Sequence, residues 1–231
     1  MVGDFMTPRR VTLFSGHYGS GKTNLALDYA LRLKEQFENV ALADLDIVNP
    51  YFRSKDSEAA LAQKGIRLIA SPYAGTNVDA PALPAEAYAL IDDKRIHAVL
   101  DIGGDDRGAL ALGRYAPAIL EEGDYDSFLV VNFFRPLTRT AQEVVTVMNE
   151  ILVAGKIPYT GIINNSNLGE QTTPELVLST VEKAEELSRL TGLPVVRTTV
   201  MPELFDALKD QIVNLDPITL TVHQSWAYKE E

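Results

Sequence analysis

The sequence predicts an α/β protein with a mostly parallel β-sheet sandwiched by helices, and three observations predict it. Short, continuous apolar runs of strand length recur along the chain. Amphipathic segments of helix length alternate with them. No Pro-, Gly- or Ser-rich linker divides the pattern, so residues 1–231 read as a single domain with a core of about residues 8–210. Strands that are apolar on both sides need cover on both faces, and helical crossovers between parallel strands provide it. Roughly seven strands are expected in such a doubly wound sheet.

The elements follow in order. Arg10–Ser15 (RVTLFS) is a buried strand, and Lys22–Gln36 a helix with Ala26, Tyr29, Ala30 and Leu33 on one stripe. Val40–Leu45 is the next apolar strand, followed by a short polar helix near Glu58–Lys64 and the strand Ile66–Ala70. Residues 71–85, rich in Pro, Gly and Ala, form a loop. Ala85–Asp92 is a helix, Ala98–Ile102 a strand, Gly108–Leu120 a helix and Phe128–Asn132 a strand. Thr138–Ala154 is the clearest helix, because Ala141, Val144, Val145, Met148, Ile151 and Leu152 keep the i, i+3, i+4, i+7 pattern. The strand Tyr159–Ile163 precedes a long helix from Pro174 to about Leu190. Thr173 is its N-cap, Pro174 its first residue and Gly192 its stop. Val195–Val200 is a strand, and a short helix starts at Pro202.

Composition excludes several functions. Apolar residues make up 46% of the 231 and charged ones 23%, which is globular usage. The 32 acidic against 21 basic residues give a net charge of −11, which argues against nucleic-acid or anionic-membrane partners. With no cysteine there is no disulfide, iron–sulfur cluster, thiolate zinc site or cysteine nucleophile. His17, His97 and His223 lack metal-ligand spacing. No apolar run approaches ~20 residues, the length of a membrane-spanning helix. The N-terminal MVGDFMTPRR has no apolar signal core, so the expected location is cytoplasmic.

The strongest motif is Gly16-His17-Tyr18-Gly19-Ser20-Gly21-Lys22-Thr23, a G-x-x-x-x-G-K-[ST] sequence between a predicted strand and a predicted helix. That context defines a P-loop. Its glycines let backbone N–H groups turn inward toward phosphate oxygens, and the helix N-terminus adds its dipole. Lys22 would reach the β- and γ-phosphates, the Thr23 hydroxyl would bind Mg²⁺, and Asn24 continues the site into the helix. Asp101-Ile102-Gly103-Gly104 follows the apolar run Ala98–Leu100. Asp101 stands where a Walker-B carboxylate would hold the metal, and Gly104 could offer its N–H to the γ-phosphate. Asp44-Leu45-Asp46 ends another apolar run. Carboxylates two residues apart share a face only if the strand continues through Asp46.

A P-loop, then D-x-D on the next strand, then D-x-x-G resembles the MinD/ParA branch of P-loop NTPases. That branch includes nitrogenase iron protein, arsenite-pump ATPases and the nucleotide domain of cobyrinate amidotransferases. The resemblance implies an ATP-dependent switch, a homodimer with nucleotide near the subunit interface, and a protein partner. It implies Asp44 as a metal- or water-orienting carboxylate and Asp46 as one acting on the attacking water. Which of the two is the base stays open. The resemblance also places a base-contacting Asn at Asn164, at the end of a late strand (Ile162-Ile163-Asn164-Asn165-Ser166-Asn167). GTPases carry N-K-x-D there. Asn165 takes the position of the Lys and Asn167 that of the guanine-reading Asp, which argues for ATP.

The departures are informative. The branch usually carries a lysine directly after the first glycine of the loop, and this chain has His17 there, with Tyr18 in place of a glycine. A missing cation implies slow hydrolysis until a partner, Arg53 or Arg107 supplies the charge, and Arg53 is favoured because it follows the D-x-D motif. The expected function is therefore Mg²⁺-dependent ATP binding and slow hydrolysis in a partner switch or maturation step. An ATP-dependent small-molecule kinase or ligase, and a nucleotide-gated binding module with negligible turnover, remain as alternatives.

Overall fold

The computed structural model describes residues 7–45, 61–70, 85–104 and 112–219. Asp46, the stretch 49–53 with Arg53, the loop 71–84 and residues 105–107 with Arg107 lie outside them.

Eight strands form one sheet. They are β1 (Val11–Ser15), β2 (Val40–Leu45), β3 (Ile66–Ala70), β4 (His97–Ile102), β5 (Tyr125–Val131), β6 (Gly161–Asn164), β7 (Val195–Val200) and β8 (Leu215–Pro217). Their order is β3-β2-β4-β1-β5-β6-β7-β8, and every neighbouring pair is parallel. The helices described are α1 (Lys22–Lys34), α2 (Ala85–Asp92), α3 (Ala116–Glu122), α4 (Ala141–Gly155), α5 (Pro174–Thr191) and α6 (Pro202–Leu208). Residues 61–63, within the short helix expected near Glu58–Lys64, are helical. Among the described residues no helix is long and apolar enough to cross a membrane.

Alternation along the strands divides the core. Phe14, Leu42, Val99, Val130 and Ile163 pack with Leu25, Ala26, Ala30 and Leu33 of α1. Leu13, Ala43, Leu100 and Ile102 point the other way and pack with Leu90, Ile91, Tyr115 and Ile119. Leu129, Val131 and Ile162 pack against Ala141 and Val144 of α4 and Ala184 and Leu187 of α5. Both faces are covered, as the continuous apolar strands require.

Four elements depart from the sequence reading. Within the span of the helix expected over Gly108–Leu120, Leu112 is helical, residues 113–115 form a turn, and a helix runs from Ala116. Pro117 accounts for the break at 113–115, because its ring is tolerated in a first helical turn and would clash in a helix interior. Helix α4 starts at Ala141 instead of Thr138, because Thr140 and Glu143 form a reciprocal capping box. Strand β5 begins at Tyr125, three residues early, where Asp126 interrupts the apolar run yet accepts a hydrogen bond from Thr160 Oγ1 at 3.2 Å. The three-residue β8, ending in Pro217, adds an eighth strand that no apolar run announces, at the sheet edge where Pro is permitted. By contrast, α5 has Thr173 as N-cap and Gly192 as C-cap.

At the N-terminal edge of the sheet a buried arginine ties three elements. Arg10 pairs with Glu122 at the end of α3 through both Nε and an Nη atom. Its Nη atoms also donate to the carbonyls of Leu90, Ile91 and Ile96, each at 3.1 Å. Leu90 and Ile91 lie in the last turn of α2, where carbonyls lack helical partners. Lys94 reaches Glu122 at 2.7 Å. Hydrogen bonding from Arg10, then from Lys94, holds the Glu122 carboxyl below its usual value of 4.5. Arg10→Met leaves the largely buried Glu122 carboxylate with Lys94 and removes a donor from three carbonyls, of which Ile91 keeps Lys94 Nζ at 3.2 Å, so a loss of about 3 kcal/mol is expected, roughly a 10 °C drop in thermal midpoint. The depressed Glu122 stabilises the fold above pH 4.5, and that part is lost as pH falls through its folded value. Calorimetry between roughly pH 3 and 7, spanning the carboxylate range, should show a shallower acid decline in Arg10→Met than in wild type.

Candidate functional site

The site gathers at the C-terminal edge of the sheet, where ligands bind in open α/β folds. Residues 16–21 join central β1 to α1. Gly21 is the N-cap of α1, with φ 89°, and a Cβ there would stand 2.2 Å from Asn165 Nδ2. No side chain caps α1, and its first turn carries no acidic residue. Its leading N–H groups therefore remain available to an anion. Lys22 is only 6% exposed, and no described carboxylate pairs with it. A buried ammonium without a counter-charge is unfavourable unless a ligand supplies one.

Register brings the carboxylates to the same place. Asp44 of β2 pairs with Asp101 of β4, which pairs with Phe14 of β1. Residues in one parallel row share a face, and Phe14 packs on the α1 side. Asp44 and Asp101 therefore both face α1, at 2% and 1% exposure. Thr23 Oγ1 donates to Asp101 Oδ2 at 2.6 Å, linking the first turn of α1 to the end of β4. Gly104 follows, and a Cβ on it would lie 2.5 Å from the Gly16 carbonyl oxygen and 2.9 Å from the Tyr18 nitrogen. Only a glycine lets the segment after β4 come this close. Ser20 Oγ is buried with no hydrogen-bond partner among the described residues. Asn24 is half-buried, Tyr18 is exposed, and His17 Nδ1 lies 3.1 Å from the Tyr18 carbonyl.

The two adjacent asparagines at the end of β6 part ways. Asn164, expected against a nucleotide base, is fully buried on the α5 side. Its Nδ2 donates to Thr180 Oγ1 at 3.0 Å and its Oδ1 accepts from Ser166 Oγ at 2.7 Å. The reason is parity, since Ile162 packs toward α4 and α5 whereas Ile163 packs toward α1. Asn165 follows Ile163 and meets the loop. Its Nδ2 donates to the Ser20 carbonyl at 2.7 Å, and its Oδ1 accepts from Thr199 Oγ1 at 2.6 Å. Asn167 turns back on its own loop, donating to the Asn165 carbonyl at 2.9 Å and accepting from Gly169 N at 3.2 Å. Arg135, from the loop after β5, donates through Nε to the Gly19 carbonyl at 3.1 Å. Asn165, Thr199 and Arg135 escaped the sequence reading. Strand parity could have separated Asn165 from Asn164, but nothing local marks Thr199 or Arg135.

Among solved structures the chain is similar to cell division protein FtsY of Thermotoga maritima, at 19% identity and TM-score 0.55, over 85% of this chain and 63% of that one. It is similar to FtsY of Mycoplasma mycoides at 16% identity and TM-score 0.54, over 87% and 62%. Chloroplast FtsY of Physcomitrella patens matches at 19% identity and TM-score 0.52, over 86% and 60%. The chain spans less than two thirds of the length of each. The likeness is one of fold: a parallel α/β sheet flanked by helices, with the P-loop NTPase architecture. No protein-family model matches the chain, and no curated protein matches it.

The two asparagines should respond differently to truncation. Asn165→Ala leaves the Ser20 carbonyl without its side-chain donor and the Thr199 hydroxyl with only its long bond to the Asn164 carbonyl, which costs about 1–3 kcal/mol, and it should speed hydrogen exchange of amides 19–22. Asn164→Ala should cost a similar amount yet leave exchange of those amides unchanged.

Proposed function

We propose that this protein binds Mg²⁺–ATP at the loop between β1 and α1 and hydrolyses it slowly, as a nucleotide switch of the MinD/ParA type acting on a protein partner, within one nucleotide-binding domain. The observation that carries this reading is Lys22, a buried ammonium with no described counter-ion, beside the uncapped N-terminus of α1. A polyphosphate supplies the missing charge to both.

The donor set suits a hard cation. Thr23 Oγ1, Asp101 and Asp44 are oxygen donors facing one side of the sheet, and Mg²⁺ prefers a few such ligands completed by phosphate and water. Thr23 and Asp101 would hold the ion, with Asp44 beside them. When bound, Mg²⁺ would offset charge on the phosphate oxygens.

The chain's own groups have distinct tasks in this reading. Backbone N–H groups of residues 16–23 cradle the phosphates. Lys22 neutralises negative charge as the γ-phosphoryl departs. Gly104, pressed against Gly16 and Tyr18, sets the segment after β4 close to the terminal phosphate. Asp44 is one candidate for orienting the attacking water, and Asp46, beyond the described residues, is the other. Asn165 and Thr199 steady the loop from the β6 and β7 side. The preference for ATP rests on Asn167, an amide where guanine recognition uses a carboxylate, with both its ends engaged in its own loop.

Isothermal titration with ATP, ADP, GTP and GDP, with and without Mg²⁺, tests the proposal. Adenine nucleotides should bind more tightly than guanine nucleotides. Lys22→Ala removes a charge-assisted contact worth about 1.5–3 kcal/mol, so ATP affinity should fall by about one to two decades. Asp101→Asn should weaken the Mg²⁺ dependence. Equal ATP affinity in wild type and Lys22→Ala would overturn the reading.

A further inference from the structure

Transfer of a γ-phosphoryl group builds negative charge that one lysine and one divalent ion only partly offset. At position 17, after the first glycine of the loop, this chain carries His17 in place of a lysine. The two arginines considered from the sequence, Arg53 and Arg107, lie outside the described residues. A different arginine touches the loop.

Arg135 sits in the turn between β5 and α4. Its Nε donates to the Gly19 carbonyl at 3.1 Å. Its stem lies over Gly19, where a Cβ would stand 3.3 Å from Nε, 3.4 Å from Cδ and 3.7 Å from Cγ. No described residue accepts a hydrogen bond from its terminal amino groups. The turn that carries it is pinned at several points. Asn132 Oδ1 accepts from Phe134 N at 3.0 Å, and Arg135 N donates to the Asn132 carbonyl at 3.1 Å. Thr138 Oγ1 donates to the Asn132 carbonyl at 2.8 Å, and Ser166 Oγ accepts from Phe133 N at 3.0 Å. The backbone is therefore set before any ligand arrives, and only the outer half of the guanidinium is uncommitted. A planar guanidinium held at one nitrogen keeps its remaining N–H donors in a fixed fork that suits phosphate oxygens.

We infer that Arg135 is a second fixed cation of the phosphate site, anchored through Nε to the Gly19 carbonyl and donating through its terminal amino groups to the bound polyphosphate. It adds a second cation to that of Lys22 within one chain. This rests on the reading of residues 16–23 as a polyphosphate site. Arg135 is a binding residue in that reading, and its anchoring bond makes it a positioning residue for the loop as well.

Titration of wild type, Arg135→Gln, Arg135→Lys and Lys22→Ala with Mg²⁺–ATP and with inorganic tripolyphosphate tests this. The expected result is a loss of about tenfold or more for both ligands in Arg135→Gln, as for a charge-assisted contact. Arg135→Lys should recover part of that loss, and the loss should grow from AMP to ADP to ATP. Thermal midpoints should stay close to wild type, because among the described residues the Arg135 side chain bonds one carbonyl, that of Gly19. Two results would overturn the inference alone: wild-type affinity for tripolyphosphate in Arg135→Gln while Lys22→Ala loses it, or a loss confined to ATP, which would assign Arg135 to the base or sugar. Failure of wild type to bind either ligand would remove the polyphosphate reading itself, and this inference with it.

Discussion

The arrangement depends on one constraint: β1 is an inner strand, paired in parallel with β4 on one side and β5 on the other. Parallel pairing forces every strand to end at the same edge, so every loop after a strand opens toward the same space. Register then does the fine placement. Phe14, Asp101 and Asp44 share one row, so both carboxylates point to the face that α1 covers. The tight turn after Ser15 lands the first turn of α1 over that row, and Thr23 closes onto Asp101. A slip of one residue in β4 would send Asp101 to the opposite face and bring an apolar neighbour to the loop.

The loop is held from three directions. Asp101 and Gly104 meet it from β4, Asn165 from β6, and Arg135 from the turn after β5. The contacts from β4, β6 and the turn after β5 are hydrogen bonds of half-buried or buried side chains, together with a glycine that lets two backbones approach. Pre-set geometry of this kind lowers the ordering that a ligand must impose. Among the described residues, the buried Ser20 hydroxyl has no hydrogen-bond partner and the buried Lys22 ammonium no carboxylate partner.

Much of the fold was legible where the signal is local. Residues 16–23 announce a turn and a helix start on their own, Val40–Ala43 is an uninterrupted apolar run at the start of β2, and Thr173, Pro174 and Gly192 mark both ends of α5. The failures have non-local causes or were overlooked signals. Pro117 could have marked the break at residues 113–115, which the apolar pattern around it runs through. Strand β8 forms because β7 offers it an edge, not because Leu215–Pro217 favours a strand. At the candidate site, Lys22 and Thr23 could be named from the motif that opens α1, and Asp44 and Asp101 from their places near the ends of apolar strands. Arg135 lies 116 residues from Gly19, and only the strand order brings the two together.

The Arg10–Glu122 junction and the loop of residues 16–21 occupy opposite edges of the same sheet, joined by the five residues of β1. That separation matters to anyone redesigning the molecule. The N-terminal edge is a structural anchor assembled from helix ends, an ion pair and backbone carbonyls, with no part in the chemistry assigned to the other edge. Substitutions in this anchor touch none of the residues that line the opposite edge, so heat tolerance can be altered there without replacing a loop contact.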